Sequence, residues 1–345
     1  MKVLIFTGSA GVGSSARGIG VYTKMLFESL SKLDGIEVTM GNFKNMQNPD
    51  IVHYPSFSFF KIQLPFVKKG KTVVTVHDTI PLIYPNNYPA GIVGSIKLQY
   101  QTLALRQSDA IIADSETSRK DIVRFLGVSQ DKIKVVYLGP TLKRSESAKK
   151  ELETVVAKYN LPESFVLYVG DVNYNKNLPA LCEACVRAKT NLVIVGKSAL
   201  ALNADLFHPE NRDLSEIVSK YANSKYVKRV GYVADSELRY FFESASMYCQ
   251  PSRYEGFGLS VLDAMASGLP VLSSNIQVSK EIWGNHVEYF DVNSIDSLTG
   301  KIQELMSSDK KRKSLTESGL KFSKSFSWRK CAEETLSLYQ KVLSS

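Results

Sequence analysis

No apolar run in the chain approaches the roughly 18 to 20 residues that a membrane-spanning helix needs, so the protein reads as soluble or at most peripheral. Cysteine is scarce: Cys182, Cys185, Cys249 and Cys331 are too few and too scattered for a disulfide framework in 345 residues. Cys182 and Cys185 form a CxxC, yet no second CxxC or histidine pair accompanies it and no strand leads into it. In "LPALCEACVRA" both thiols read as buried helix residues. The opening "MKVLIFTGSAG" has one lysine and an apolar run too short for a signal-peptide core, which predicts a cytoplasmic protein. No lysine follows Gly8 to Gly13 to complete a P-loop; Ser14 stands there instead.

What is present is globular composition, 44% apolar and 22% charged, in a chain long enough for two domains. The net charge of +9 fits nucleic acid, an anionic membrane surface or a phosphorylated ligand alike. The cluster "KKRK" at 310–313 reads as a solvated basic face. The cluster "KKGK" at 68–71 follows Phe57, Phe59, Phe60 and Phe66, which keep no helix period. Two readings stand there, aromatics at a membrane interface or acceptor site, and a loop packed under the domain.

Short β-branched runs alternate with helical stretches. They are "KVLIFT" (2–7), "IEVTM" (36–40), "IVHY" (51–54), "TVVTVH" (72–77), "AIIADS" (110–115) and "IKVVYL" (133–138). After a polar stretch at 140–163 the alternation restarts with "SFVLYVG", "TNLVIVG", "KYVKRVGYV", "ASMYCQPS", "PVLSSN" and "VEYFD". This predicts an α/β protein of two Rossmann-like domains, 1–143 and 144–326, with parallel sheets facing a central cleft and a helix at about 327–345. Ligands in such folds bind beyond the carboxyl ends of the strands.

Several stretches at those ends could carry chemistry. Gly11, Gly13 and Ala16, with Glu37 beyond, fit a dinucleotide fingerprint poorly, because Arg17, Gly18 and Gly20 extend the loop; a long loop over the cleft fits better, and a plain surface loop stays open. His77 and Asp78 fall at a strand end, where Asp78 could hold the imidazole in one tautomer. Lys176, after Gly170, suits a phosphate, or is a surface lysine. In "RYEGFGLSVLDAMASG", Glu255 precedes a helix expected from about Leu259 and Asp263 lies a turn inside it. Gly256 and Gly258 leave backbone amides open to a phosphate or sugar, and the two acids suit paired hydroxyls. Ordinary helix-start acids are the alternative.

The chain resembles the retaining family 4 glycosyltransferases, which have the GT-B fold, in "RGIGVYTKML", "VHDTIP", "ADSETSRKDIVRFLGVSQDKIKVVYLG", "LYVGDVNYNKNLPALCEA", "VGYVADSEL" and "PSRYEGFGLSVLDAMASGLPVLSSN". The resemblance implies a nucleotide-sugar donor held by the C-terminal domain and a glycan or polyprenyl-linked acceptor held by the N-terminal one. It implies a final helix crossing back to the first domain, no cofactor, no catalytic metal and no nucleic-acid partner, with peripheral contact at an anionic membrane as a further expectation. Position by position, Glu255 matches the acid on the transferred sugar, Lys176 the lysine on the diphosphate and His77 the histidine near the sugar. Gly256, Phe257, Gly258 and Leu259 match the turn and helix start that meet the donor, and Asp263 the acid on the ribose. Tyr232 and Val233 match the base site, and Gly18 and Gly20 the N-terminal glycine loop.

Two departures stand out: Asp263 is a methylene shorter than the usual glutamate, and Asn175 replaces a common basic residue, while Asp171 follows the strand glycine where some members carry Arg. Asn175 and Arg253 complete the expected donor site, Arg253 or Arg17 supplying the missing cation; Arg17 and Asp78 are assigned to the acceptor side. "VHDTIPLIYP" resembles the mannosyltransferase-like branch, which implies a GDP-mannose-type donor. A GT-B sugar-nucleotide epimerase, a catalytically weak nucleotide-sugar-binding protein and a dinucleotide-dependent oxidoreductase are the competing readings.

Overall fold

The computed structural model describes residues 1–7, 18–142, 149–200 and 204–344. The chain divides into two compact units, Met1–Gly139 with Phe326–Ser345, and Pro140–Ser325. The expected boundary at 143/144 lies outside the described residues.

The first unit carries β1 (Lys2–Phe6), β2 (Glu37–Gly41), β3 (Ile51–Tyr54), β4 (Lys71–Val76), β5 (Ala110–Ala113) and β6 (Ile133–Val135). They form one parallel sheet in the order β2-β1-β3-β4-β5-β6. The second unit carries β7 (Val166–Val169), β8 (Leu192–Val195), β9 (Val227–Gly231), β10 (Met247–Gln250), β11 (Val271–Ser274) and β12 (Glu288–Phe290), again parallel, in the order β12-β11-β10-β7-β8-β9. The central strands are buried along their whole length, as continuous β-branched runs require when helices cover both faces of a sheet.

In each sheet the strand order reverses once. The chain leaves β1 for β2 on one side and returns as β3 on the other; in the second unit it runs from β7 outward to β9 and returns as β10 beside β7. Diverging loops open a crevice beyond the carboxyl ends of such neighbours, so the loops after β7 and β10 are the natural site of the second unit.

Cys182 and Cys185 lie in the second unit's core on the helix Leu178–Arg187, and burial pushes both thiols up from their ordinary range. The helix Trp328–Ser344 packs in the first unit, on the helix Ile19–Leu30 and β4. At its start a Cβ on Gly139 would collide with the backbone nitrogen of Trp328, so the residue there must be glycine.

The phenylalanine segment divides. Phe57 and Phe59 lie in the core with Phe60 packed against it, while Phe66 sits edge-on to Tyr100 at 4.5 Å between ring centroids. The interface reading therefore fails for the first three. The sequence period does not mark the helix Gly91–Arg106, because apolar residues occupy both of its faces: Gly94, Ala104 and Leu105 are buried, Ile92, Ile96 and Leu103 exposed.

Candidate functional site

The loops after β7 and β10 bring Lys176 and Glu255 together. Lys176 closes a short turn, Tyr174–Lys176, and its Nζ donates to Oε1 and Oε2 of Glu255 at 2.8 Å each. Oε1 of Glu255 also accepts from Gln250 Nε2 at 2.6 Å and Ser252 Oγ at 2.5 Å. Gln250 ends β10 and is itself held by the hydroxyl of Tyr248. Thus the strand end, through two buried side chains, fixes the carboxylate, and the carboxylate fixes the lysine. Glu255 is buried and the Lys176 side chain is about a quarter exposed, so the ammonium is the member of the pair that faces outward.

Four contacts stitch the two loops. The backbone N–H of Arg253 donates to the carbonyl of Asn175 at 2.7 Å, Asn175 Nδ2 to the carbonyl of Tyr254 at 3.3 Å, and Asn177 Nδ2 to the carbonyl of Pro251 at 3.1 Å. The Arg253 guanidinium donates to the Tyr174 carbonyl and lies 4.3 Å from the Tyr174 ring centroid. Asn175, buried at the position of the common basic residue, thus works as a stitch between the loops. A residue the sequence reading did not mark, Asp213, meets Arg253 Nη1 at 3.2 Å from the helix Arg212–Tyr221. Burial pushes its carboxyl up to about 6, against the opposing pull of Arg253. No local signal points to Asp213, 40 residues from its partner.

The turn after Glu255 leads into the helix Leu259–Ala266 at the expected residue. Gly258 caps it at φ 96°, a left-handed conformation that favours glycine, and Phe257 is buried edge-on to Trp283 at 5.5 Å. Gly256 is buried beside it. Asp263 turns elsewhere: its Oδ1 accepts from the backbone N–H of Thr141 at 2.6 Å and of Leu142 at 3.0 Å, and its Oδ2 from the Thr141 hydroxyl at 2.7 Å. The acid that the resemblance assigns to the ribose is, in this structure, the anchor of the chain entering the second unit. Tyr232, exposed, and Val233, buried, follow β9, two strand spacings or roughly 10 Å across the sheet from β7.

In the first unit His77 follows β4. Its Nδ1 meets Asp114 Oδ2 at 2.7 Å and its Nε2 meets the carbonyl of Pro55 at 3.0 Å. Burial pulls the imidazole pKa down, but the Asp114 carboxylate, helped by Asp78 and the Pro55 carbonyl, outweighs it and leaves the value raised. Asp78, which the sequence offers as a group that could hold the ring, contacts neither ring nitrogen. Its Oδ1 accepts from the backbone N–H of Ile80 at 3.0 Å, and the orienting acid is Asp114, one residue past β5 on the neighbouring strand. Gly18 precedes the helix Ile19–Leu30 at φ 75° and Gly20 is buried within it. Arg17 and the glycines at 8, 11 and 13 lie outside the described residues.

The family model for glycosyl transferases group 1 matches residues 149–322, and that for glycosyltransferase family 4 matches 39–144. The O-antigen chain mannosyltransferase B of Escherichia coli is 28% identical over 301 residues, which cover 84% of this chain and 74% of that one. The sucrose-phosphate synthase of Thermosynechococcus elongatus superposes with a TM-score of 0.77 at 18% identity, covering 100% of this chain and 99% of that one. HepE of Anabaena, solved with UDP and glucose, gives 0.73 at 14% identity, covering 99% of this chain and 100% of that one. The two structural likenesses show the fold, GT-B. With the group 1 model matched over half of its 345 residues, this chain belongs to the glycosyl transferases group 1 and is a glycosyltransferase.

Proposed function

We propose that the protein is a retaining, metal-independent mannosyltransferase that moves mannose from a GDP-mannose-type donor to a hydroxyl of a glycan or polyprenyl-linked acceptor. The observation that carries the reading is the Lys176–Glu255 pair at the strand-order reversal of the second unit. The 28%-identical relative that builds O-antigen supports the sugar, and the neighbour bound to UDP and glucose supports a nucleotide sugar as donor class.

Departure of a nucleoside diphosphate builds negative charge on the β-phosphate while the sugar becomes oxocarbenium-like. Lys176 turns its ammonium from Glu255 to that phosphate, Arg253 supplies a second cation, and the amides at the start of the helix Leu259–Ala266 add the dipole of the helix. Glu255, relieved of the lysine, accepts hydrogen bonds from sugar hydroxyls. The acceptor oxygen bonds to the anomeric carbon on the face from which the phosphate oxygen leaves, and that oxygen takes the acceptor's proton. His77, with both ring nitrogens turned to oxygen acceptors, serves as a fixed cation of the first unit rather than as a base.

Incubation with GDP-mannose and a lipid-linked glycan acceptor, with the product's anomeric configuration read by NMR, is the test. Retained configuration is expected, with Lys176→Ala lowering kcat by about 10² to 10³. An inverted product overturns the retaining mechanism. Donor binding without transfer to any acceptor overturns the transferase in favour of a nucleotide-sugar-binding protein.

A further inference from the structure

The helix Gly91–Arg106 and the loop 61–68 form one surface of the first unit. Gln101, buried in the helix, accepts at Oε1 from the backbone N–H groups of Gln63 and Leu64 at 3.0 Å each and donates from Nε2 to the Leu64 carbonyl at 3.2 Å. Lys68 Nζ donates to the Ala104 carbonyl at 3.1 Å, and Phe66 lies on Tyr100. Gln101, Ala104 and Leu105 face inward, so the opposite side of the helix faces out, and it carries apolar residues: Ile92 is 83% exposed, Val93 63%, Ile96 63% and Leu103 50%. At 100° per residue, Ile92, Ile96 and Leu103 fall on a single stripe. The loop adds Ile62 at 62% and Val67 at 82%. Single exposed apolar residues are ordinary; six on two segments locked together are not.

The charge of these segments is mostly of one sign. Residues 55–106 hold six basic side chains against a single acid, Asp78. Lys71 is paired with Asp109 at 3.2 Å and Lys68 and Arg106 donate to carbonyls, which leaves Lys61 and Lys97, next in sequence to Ile62 and Ile96, among the cations of this surface. A two-fold contact between copies of this chain through this face would set two faces of like charge against each other, with no acid on either to meet Lys61 and Lys97. A boundary between anionic headgroups and acyl chains takes both the cations and the apolar residues. No helix among the described residues is long and apolar enough to cross a membrane, so contact through this face would be peripheral.

We propose that this face docks the protein on a membrane surface bearing anionic phospholipid headgroups. Ile92, Val93, Ile96 and Val67 enter the acyl boundary, and Lys61 and Lys97 stay at the level of the phosphates. The proposal stands apart from the choice of sugar and from catalysis.

Flotation of the full chain with vesicles tests it, without donor or acceptor, so that its failure leaves the transferase reading standing. Vesicles of phosphatidylcholine with about 30% phosphatidylglycerol are expected to carry the protein at least tenfold better than phosphatidylcholine alone, and less so as NaCl rises. The double variants Ile92→Ser/Ile96→Ser and Lys61→Glu/Lys97→Glu are each expected to lose about tenfold in vesicle binding, with circular dichroism and Tm nearly unchanged because Ile92, Ile96 and Lys61 are exposed and Lys97 is half-buried. Three results overturn the proposal: no flotation of the wild type, variants that float like the wild type, or light scattering that finds a wild-type dimer which the isoleucine variant dissolves while neither binds vesicles.

Discussion

His77 is cationic for a geometric reason. A carbonyl and a carboxylate can only accept, so both ring nitrogens must carry hydrogen. The sign of the pH dependence follows. With a native pKa above the unfolded value of about 6.5, the contribution to stability is complete below pH 6.5 and is lost as pH rises through the raised native value. Asp114→Asn removes the charge that raises it and leaves burial to dominate. Urea unfolding between about pH 6 and 9 is expected to show a stability lower by on the order of 1 to 3 kcal/mol at the acid end, with the downward slope gone. A slope that persists in Asp114→Asn would assign it to another group. From the sequence, His77 is legible because it ends a β-branched run. Its partner is not, because pairing of β4 with β5 in parallel register, Val76 opposite Ala113, is what carries Asp114 to it.

At the scale of elements, all twelve strands were legible as short apolar runs; ten of the expected spans run one to three residues past the hydrogen-bonded ladder, the span 51–54 coincides with its strand, and the span 36–40 ends one residue before Gly41. The overrun has a physical cause: residues such as His77, Asp114 and Gly170 continue the extended chain beyond the last ladder pair, where the loops of the site begin. The start of the helix at Leu259 was legible from Gly258; the direction of Asp263 was not, since the partner is 122 residues away. Three donors from Thr141 and Leu142 now occupy the carboxylate that a ribose would need. Thr141→Val removes only the hydroxyl donor and leaves both backbone N–H groups in place. If the donor's ribose is held by Asp263, its dissociation constant should fall by several-fold in this variant, a change of about 1 kcal/mol. Asp263→Ala orphans two half-buried N–H groups and should cost about 1 kcal/mol of stability. Calorimetric titration with GDP-mannose reads the first effect; unchanged affinity in Thr141→Val would mean that the aspartate serves the chain entry alone.

Across the whole molecule, the return of the last helix to the first unit is held by a buried polar chain that no local pattern announces. His53 on β3 meets the hydroxyl of Tyr339 at 2.6 Å through Nδ1 and Thr75 Oγ1 on β4 at 2.8 Å through Nε2, and Thr75 in turn meets the hydroxyl of Tyr22 at 2.8 Å. One imidazole thus joins two strands, the helix Ile19–Leu30 and the helix Trp328–Ser344. Burial, with the nearby charge of His77, lowers the His53 pKa to about 3, so the ring is neutral in the native state and is protonated on unfolding at mildly acid pH. The native value lies below the unfolded one, so this group costs stability as pH falls from about 6.5 toward 3, at up to about 1.4 kcal/mol per unit. His53→Gln keeps a donor and an acceptor but cannot titrate. It is expected to lower stability at pH 7 by about 1 to 2 kcal/mol, through less exact hydrogen bonds, and to flatten the acid limb between about pH 6 and 4.5, above the range where carboxylates protonate. Urea unfolding across that range, followed by hydrogen exchange in the helix Trp328–Ser344, checks both. An acid limb as steep in His53→Gln as in the wild type would remove His53 as the pH-sensitive tie between the last helix and the sheet.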